Sequence, residues 1–238
     1  ALCIESDIRP ISITPALSKI AESFIARLFN DHFSTRIDNN QFGSTKKRST
    51  THALIRFSHD LFLASDEPGN IIRVLFVDFA KAFDLIDHNI LMRKFIDNDF
   101  PLHLSCWSLS FLEDRKQFVK VANGVSSTAK ICCGCPQGTL SGPNNFKLMI
   151  NDLRFLLSYI KYVDDTSVAS MSKNPDDTSL QGALNDLTAW CALNSMRLNT
   201  AKINEVVIYF GKKYDLSHIK SLECNDNVIN RVDTRCFV

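Results

Sequence analysis

The sequence of 238 residues lacks several features that assign a chain to a class at once. Its formal net charge is only +1, so its composition supplies no broad basic field, and any contact with a nucleic acid must be local. No apolar run is long enough to span a bilayer, and the N-terminus has neither the charged start nor the apolar stretch of a signal peptide. We therefore expect a soluble intracellular protein.

The cysteines also lack the spacing of a zinc site or a disulfide framework. There are eight, they do not form two C-x-x-C pairs, and Cys132, Cys133 and Cys135 are too close in sequence for a structural zinc site. We expect reduced and mostly buried thiols.

What the chain does contain is enough apolar material, 45% of its residues, for one large domain or two lobes with a shared core. Apolar spacing of three and four residues predicts helices, and alternating or continuous apolar runs predict strands. The predicted helices span 14–33, 52–64, 90–98, 101–112, 144–157 and 178–194. The predicted strands span 71–77, 117–121, 128–132, a pair around Asp164-Asp165, and 205–210.

The segment Tyr162-Val163-Asp164-Asp165 places two adjacent carboxylates between short runs of strand-forming residues. Neighbouring carboxylates repel each other, so the pair is stable at a solvated turn or when a metal cation neutralises it. Taken alone, the segment favours the solvated turn.

Two other segments favour the metal site. The apolar run 71–77 predicts a buried strand that ends at Asp78, although Asp78 taken alone favours a cap on the following turn. Between the aspartates lies the loop Gly134–Pro143, where glycines permit a close approach of backbone to a ligand and the Gln137 amide suits a contact with a nucleotide or with backbone. Carboxylates and substrate phosphates together suffice for Mg²⁺.

These segments resemble the reverse transcriptase domain of non-LTR, LINE-type retrotransposons, and most closely the jockey-like elements. The matching segments follow the order of that family: Arg9-Pro10-Ile11-Ser12, Gln41-Phe42-Gly43, 48–54, Asp78–Asp84, His88, Phe111–Arg115, Gly134–Thr139, Ile150–Leu153, Tyr162–Asp165, Trp190–Asn199 and Lys202. The similarity covers nearly the whole chain up to Phe210.

The resemblance implies an α+β fold of the right-hand polymerase type, with fingers and a palm sheet of the ferredoxin-like split βαβ pattern. It implies fingers over 1–70 and 101–133, and palm over 71–100 and 134–210. Residues 211–238 would be the start of the primer-grip and thumb region, which the chain truncates.

The resemblance also implies the roles of individual residues. Asp78, Asp164 and Asp165 would be the catalytic carboxylates and hold two Mg²⁺ ions, with Mn²⁺ as an alternative. The incoming nucleotide would contact six positions: Arg9, Phe79, Phe83, Gln137, Gly138 and Lys202. Phe83 would exclude the ribose 2′-hydroxyl. Lys46, Lys47 and Arg48 would contact nucleic acid, unless they form only a solvated loop.

The implied activity is RNA-directed DNA polymerisation, with an RNA template, a DNA primer, deoxynucleoside triphosphates and no membrane. Asn144-Asn145 departs from the family pattern, which has an apolar pair there. This change and the missing thumb leave open a second reading, an inactive or domesticated remnant that acts as a binding module. A maturase-like or telomerase-like relative and a two-metal nuclease fit the motifs less well.

Overall fold

The computed structural model describes residues 11–122, 124–210 and 218–232. These residues form two compact units, each built from two stretches of chain. The first unit comprises the described residues up to Ile37 together with Phe83–Met149, and the second comprises 38–82 together with the described residues from Ile150 onward.

The second unit contains a five-stranded sheet. Its central strand is β1 (Ile71–Val77), which pairs antiparallel with β7 (Asp165–Ser172) on one side and with β8 (Asn204–Ile208) on the other. The outer strands are β6 (Ser158–Tyr162), antiparallel to β7, and the short β11 (Asn230–Arg231), parallel to β8.

The order β11-β8-β1-β7-β6 contains the split βαβ arrangement that the resemblance implies. Strands β1 and β6 both run antiparallel to β7, which lies between them, so they are parallel to each other. The expected α+β class and split palm sheet are therefore confirmed.

Both faces of β1 are covered, which explains its continuous apolar sequence. Ile72 and Val74 belong to a core cluster on one face with residues of helix α2 (Thr50–Ser65), among them Phe57 and Leu61. Helix α2 begins two residues before the predicted start, at Thr50, and the Ser49 hydroxyl caps it by accepting a hydrogen bond from the His52 amide. Helix α6 (Ser179–Leu193) contacts β7 and contributes further buried leucines.

The first unit is mainly helical. It contains α1 (Ala16–Phe33), α3 (His88–Asp97), α4 (Leu102–Leu112) and α5 (Ser141–Met149). Four rings pack between α1, α3 and the start of α4, with centroids 4.8–6.0 Å apart: Phe29, Phe33, Phe95 and Phe100. The predicted strand pair after α4 is reduced to four two-residue strands, β2 (Lys116–Gln117), β3 (Lys120–Val121), β4 (Gly124–Val125) and β5 (Ala129–Lys130).

The predicted helix 144–157 is wrong at both ends. The helix begins earlier because the buried Glu22 carboxylate accepts hydrogen bonds from the amides of Leu140 (2.9 Å) and Ser141 (3.2 Å), ahead of the first helical turn. It ends at Met149, after which the chain turns, and the amide of Leu153 donates to the carbonyl of Ile150. The polar Glu22 carried no sign of this role in the sequence.

A buried group of one carboxylate and two guanidinium ions lies in the second unit. Glu205 is fully buried, with Arg73 Nε 2.6 Å from one of its oxygens and Arg231 Nη2 3.0 Å from the other. Arg73 also donates to the carbonyls of Asp177 and Lys220. This group ties the chain around residue 220 and the short strands β9 (Glu223–Cys224) and β10 (Asn227–Val228) to the sheet.

The expectation of mostly buried thiols is wrong for half of the cysteines that the structure describes. Cys135, Cys191 and Cys224 are buried, but Cys106, Cys132 and Cys133 are exposed, and all six are free. Burial raises the pKa of Cys135 and of Cys191 to about 12. Among the described residues, no helix has the length and the apolar composition that a membrane crossing requires.

We expect Glu205→Ala to lower the free energy of unfolding by about 3–5 kcal/mol, because it leaves Arg73 buried without its counterion. Urea denaturation followed by circular dichroism measures the change. The matched control is Glu67→Ala, since Glu67 forms an exposed ion pair with Lys173 and its loss should cost about 0–1 kcal/mol. Equal effects of the two substitutions would contradict the structural role assigned to Glu205.

Candidate active site

Two of the predicted aspartates, Asp78 and Asp165, lie at the same end of the sheet in the second unit, and Asp164 lies in the adjacent hairpin turn. The last pair in the β1–β7 ladder joins Val77 to Thr166, so the next residue of each strand, Asp78 and Asp165, lies at the same level. Because directly opposed residues of an antiparallel pair project from the same face, the register directs these two side chains to one side of the sheet. Asp78 and Asp164 are half-buried and Asp165 is exposed.

Lys202 also lies at this end. The β1–β8 ladder pairs Phe76 with Asn204, and Lys202 precedes Asn204 by two residues. The chain before Lys202 follows the residues after β1, because the Asn199 amide donates to the carbonyl of Asp78 (2.9 Å) and the Ala80 amide donates to that of Arg197 (2.8 Å). The exposed Lys202 is thus held close in the fold to Asp78.

The carboxylate pair lies at a tight turn. Tyr162 pairs with Asp165, which leaves Val163 and Asp164 as the two-residue connection of the β6–β7 hairpin. Val163 has a φ of +60°, a conformation that is rare for a β-branched residue. Strained backbone of this kind is concentrated at functional sites.

The donor atoms at this end suit a hard divalent cation. Carboxylate oxygens are the ligands that Mg²⁺ prefers, and it commonly uses one or two of them together with substrate phosphates and water. Within the described ranges, no group of three or more His, Cys, Asp or Glu side chains is arranged closely enough to hold a metal ion by itself. A cation at this end of the sheet would therefore complete its coordination with oxygens from a ligand or solvent.

A short segment of residues 38–43 lies beside β6 and reaches the hairpin turn. The Phe42 amide donates to the Lys161 carbonyl and the Lys161 amide donates to the Asn40 carbonyl, both at 2.8 Å. At the turn, Gln41 Oε1 accepts from the amide of Val163 (3.1 Å) and Gln41 Nε2 donates to its carbonyl (3.4 Å). The sequence marked Gln41 only as part of a matching motif, and nothing in its pattern indicated this contact.

A buried ion pair anchors the same segment. Lys161 Nζ lies 2.7 Å from Asp38 Oδ2 and also donates to the carbonyls of Ile150 and Leu153. Burial alone would raise the pKa of Asp38, but the charge and hydrogen bond of Lys161, with further bonds from the Asn40 amide and the Tyr159 hydroxyl, hold that pKa below its ordinary value. Burial lowers the pKa of Lys161, and Asp38 opposes that change.

The glutamine loop and Phe83 come together in the first unit. The Cys135 amide donates to the Phe83 carbonyl (2.8 Å), and Gln137 Nε2 donates to Asp84 Oδ1 (3.3 Å). The approach requires glycine at position 134, because a Cβ there would lie 2.7 Å from the Asp84 carbonyl oxygen. The ring of Phe83 stacks on the buried Phe146 with centroids 4.8 Å apart, and Gly138 is exposed.

The remaining predicted site residues have varied environments. Phe79 is buried and packs edge-on against Trp190, with centroids 6.3 Å apart. Arg48 Nη1 donates to three backbone carbonyls, those of Asp38, Asn39 and Gln41, so its guanidinium supports the segment beside β6. Lys46 and Lys47 are exposed, and Arg9 lies outside the described residues.

A split βαβ sheet with carboxylates at the end of its central strand and in the adjacent hairpin fits the polymerase palm that the resemblance implies. The model of the family "Reverse transcriptase (RNA-dependent DNA polymerase)" matches residues 5–225, and the chain belongs to this family.

The similar curated proteins include two polymerases of mobile elements from Drosophila melanogaster. The probable RNA-directed DNA polymerase from transposon BS is 30% identical over 208 residues, which are 82% of this chain and 23% of that protein. The RNA-directed DNA polymerase from mobile element jockey is 30% identical over 212 residues, with 83% and 23% covered. The chain thus spans about a quarter of the length of these relatives, and the resemblance to jockey-like reverse transcriptases is confirmed.

Solved structures with a similar fold include telomerases. A telomerase from Candida tropicalis in complex with a TWJ fragment of telomeric RNA matches with a TM-score of 0.58 at 13% identity, covering 82% of this chain and 34% of that one. An apo telomerase from the same organism, truncated from its C-terminal domain, matches with a TM-score of 0.55 at 14% identity, covering 83% and 41%. At this identity the likeness shows the fold, and it agrees with polymerase fingers and palm.

We expect Asp38→Asn to destabilise the protein by about 3–5 kcal/mol at neutral pH, because Lys161 loses its buried counterion. A carboxyl whose pKa is lowered by folding stabilises the protein above its unfolded pKa, and this contribution is lost as the pH falls through the folded pKa. The difference in unfolding free energy between wild type and variant should therefore shrink as the pH falls from about 5 to about 3.

Urea denaturation across this pH range measures the difference. Asp114→Asn is the control, because Asp114 and its partner Lys130 are both exposed and the substitution should leave stability nearly unchanged. A difference for Asp38→Asn that stays constant down to the lowest pH would contradict the assigned charge state.

Proposed function

We propose that the sheet end formed by Asp78, Asp164 and Asp165 catalyses nucleotidyl transfer from a deoxynucleoside triphosphate to the 3′-hydroxyl of a primer on an RNA template. The observation that supports this most directly is the register of β1 with β7, which brings the end of the central strand level with the hairpin carboxylates. Membership of the reverse transcriptase family supplies the reaction class.

In this proposal Asp78 and Asp164 hold two Mg²⁺ ions, with Mn²⁺ as an alternative, and Asp165 lies beside them. When bound, such ions lower the pKa of an attacking hydroxyl and neutralise the charge on a leaving pyrophosphate. The protein's own contribution is to hold the carboxylates at one end of a rigid sheet, where a triphosphate can complete the coordination. Lys202, at the same end, supplies a positive charge for the phosphates.

The proposal includes five further nucleotide contacts. The ring of Phe83, fixed by stacking on Phe146, discriminates against a ribose 2′-hydroxyl by steric exclusion. Gln137 and Gly138 contact the incoming nucleotide and the template, and Phe79 and Arg9 complete that set. We assign residues 1–70 and 101–133 to the fingers, 71–100 and 134–210 to the palm, and residues from 211 onward to the start of the primer-grip and thumb region.

Template, primer and triphosphates are the proposed partners. The exposed Lys46 and Lys47 provide local positive charge for a phosphate backbone in a chain of nearly balanced charge. Arg48 supports that loop by holding the carbonyls of the segment 38–41.

One observation favours a second candidate, a remnant that folds without polymerising. Asn144 and Asn145 replace the apolar pair of the family and are both buried in α5. Burial of two polar amides is an energetic cost that an apolar pair would avoid. Such a remnant would serve as a binding module only.

We expect Asp164→Asn to abolish extension of a DNA primer on an RNA template in the presence of Mg²⁺, because it removes a proposed metal ligand. Removal of one catalytic group of this kind reduces the rate by about 10³-fold or more. The matched control is Asp186→Asn, which removes an exposed carboxylate on α6 and should leave the rate unchanged. Extension is measured by gel with the chain alone and with the chain fused to the following segment of the jockey polymerase.

Ligand binding separates the two candidate functions. A polymerase palm should show a rise in melting temperature with a deoxynucleoside triphosphate and Mg²⁺ that Asp78→Asn abolishes. Two negative results together would contradict the polymerase proposal and support the remnant. They are the absence of this rise in melting temperature and the absence of primer extension that depends on Asp164 in the fused form.

We expect Phe83→Val to raise the incorporation of ribonucleotides relative to deoxynucleotides by roughly tenfold or more, because a smaller side chain leaves space for a 2′-hydroxyl. Single-nucleotide extension with each triphosphate measures the ratio. Phe111→Val is the control, since Phe111 stacks on Trp107 in α4 and has no proposed nucleotide contact. An unchanged ratio in Phe83→Val would contradict the assigned gate.

A further inference from the structure

The turn that presents Asp164 and Asp165 has an unfavourable backbone conformation. A two-residue hairpin connection requires a positive φ at its first central residue, a position where glycine is usual. Val163 occupies that position with a φ of +60°. Its Cβ branch makes this conformation unfavourable, so other contacts must hold the turn.

The side-chain amide of Gln41 supplies those contacts, and we call this arrangement the Gln41 bracket. Gln41 Oε1 accepts from the amides of Gly43 (2.9 Å) and Val163 (3.1 Å), while Gln41 Nε2 donates to the Val163 carbonyl (3.4 Å). One amide thus holds both backbone polar groups of the strained residue. Because Gln41 is only 2% exposed, water does not replace these hydrogen bonds in the folded protein.

The bracket is itself fixed from two sides. Arg48 Nη1 donates to the carbonyl of Gln41 (2.7 Å), and the amide of Phe42 donates to the carbonyl of Lys161 (2.8 Å) in β6. Position 43 must be glycine for the segment to come so close, since a Cβ there would lie 2.3 Å from the Val163 nitrogen. Residues 41–43 therefore pack closely against the turn at Val163.

We infer that Gln41 is a positioning residue, which holds Val163 in its left-handed conformation and thereby sets where Asp164 and Asp165 lie relative to Asp78. The inference rests on the proposed function only for its consequence in catalysis. The bracket itself is a property of the folded hairpin. A purely structural role would stabilise the sheet as a whole and would not be specific to the turn.

The test compares Gln41→Met, which removes all three hydrogen bonds of the side chain at similar volume, with Gln41→Glu, which keeps the acceptor, loses the donor and introduces a negative charge. The chain offers a close control in Gln181, whose amide brackets the backbone of Glu223 in the same way, with both hydrogen bonds at 2.9 Å. Gln181→Met removes an equivalent pair of bonds away from the hairpin. Val163→Gly removes the strain that makes the bracket necessary.

Hydrogen exchange measured by NMR reports the local stability of the turn directly. In Gln41→Met we expect the amides of Tyr162, Asp165 and Thr166 to exchange about tenfold faster relative to those of β1. Gln181→Met should leave them unchanged, and Gln41→Glu should accelerate exchange at least as much as Gln41→Met, because it places an unpaired negative charge in a buried position. Addition of Val163→Gly to Gln41→Met should return the exchange rates toward the wild-type values, because glycine adopts a positive φ without strain.

The effect of Gln41 on the proposed metal site is measured by how the melting temperature depends on the Mg²⁺ concentration. The Mg²⁺ concentration for the half-maximal rise in melting temperature with a deoxynucleoside triphosphate should increase about tenfold in Gln41→Met, and the added Val163→Gly should reverse most of the increase.

Two results would overturn the inference. One is faster exchange spread evenly over the sheet in Gln41→Met, and the other is a failure of Val163→Gly to restore protection at the turn. A wild-type chain without any Mg²⁺-dependent shift would contradict the proposed function instead, and exchange would still decide whether Gln41 holds the turn.

Discussion

The antiparallel pairing of β1 with β7 is the constraint on which the proposed site depends. Asp78 and Asp165 are far apart in sequence, and only the register that pairs Val77 with Thr166 brings them to one level. A shift of one residue in this register would separate Asp78 from Asp165 and turn their side chains to opposite faces of the sheet. The pairing with β8 adds Lys202 to the same end.

Buried ion pairs hold the chain segments that flank this sheet end in place. Glu205 with two arginines fixes the chain around residue 220 to the sheet, and Lys161 with Asp38 fixes the segment that reaches the hairpin. Each pair is costly to bury, and each is compensated by hydrogen bonds to backbone carbonyls. Lys161, which precedes the aspartate motif directly, is therefore a structural residue despite its place beside the proposed metal ligands.

Much of the fold could be predicted from local pattern, and the failures have identifiable causes. The strand 71–77 and the helix predicted over 52–64 agree closely with the structure, because a continuous apolar run and helical apolar spacing are local signals. The bounds of α5 were predicted wrongly, because its start depends on Glu22, more than a hundred residues earlier in the chain. Four apolar side chains of α1 (Leu17, Ile20, Phe24 and Leu28) are exposed, although their spacing resembles that of a core-facing stripe.

The sequence by itself determined the family, the α+β class and the identity of the candidate carboxylates, because the order of motifs and short-range periodicity depend only on the order of residues along the chain. Only the tertiary structure decided that Asp78 and Asp165 share a level, that Arg48 supports a loop through three carbonyls, and that Gln41 holds the Val163 turn. These are contacts between segments or across folded loops, and their geometry follows from strand register and backbone dihedral angles, which no spacing of residue types records.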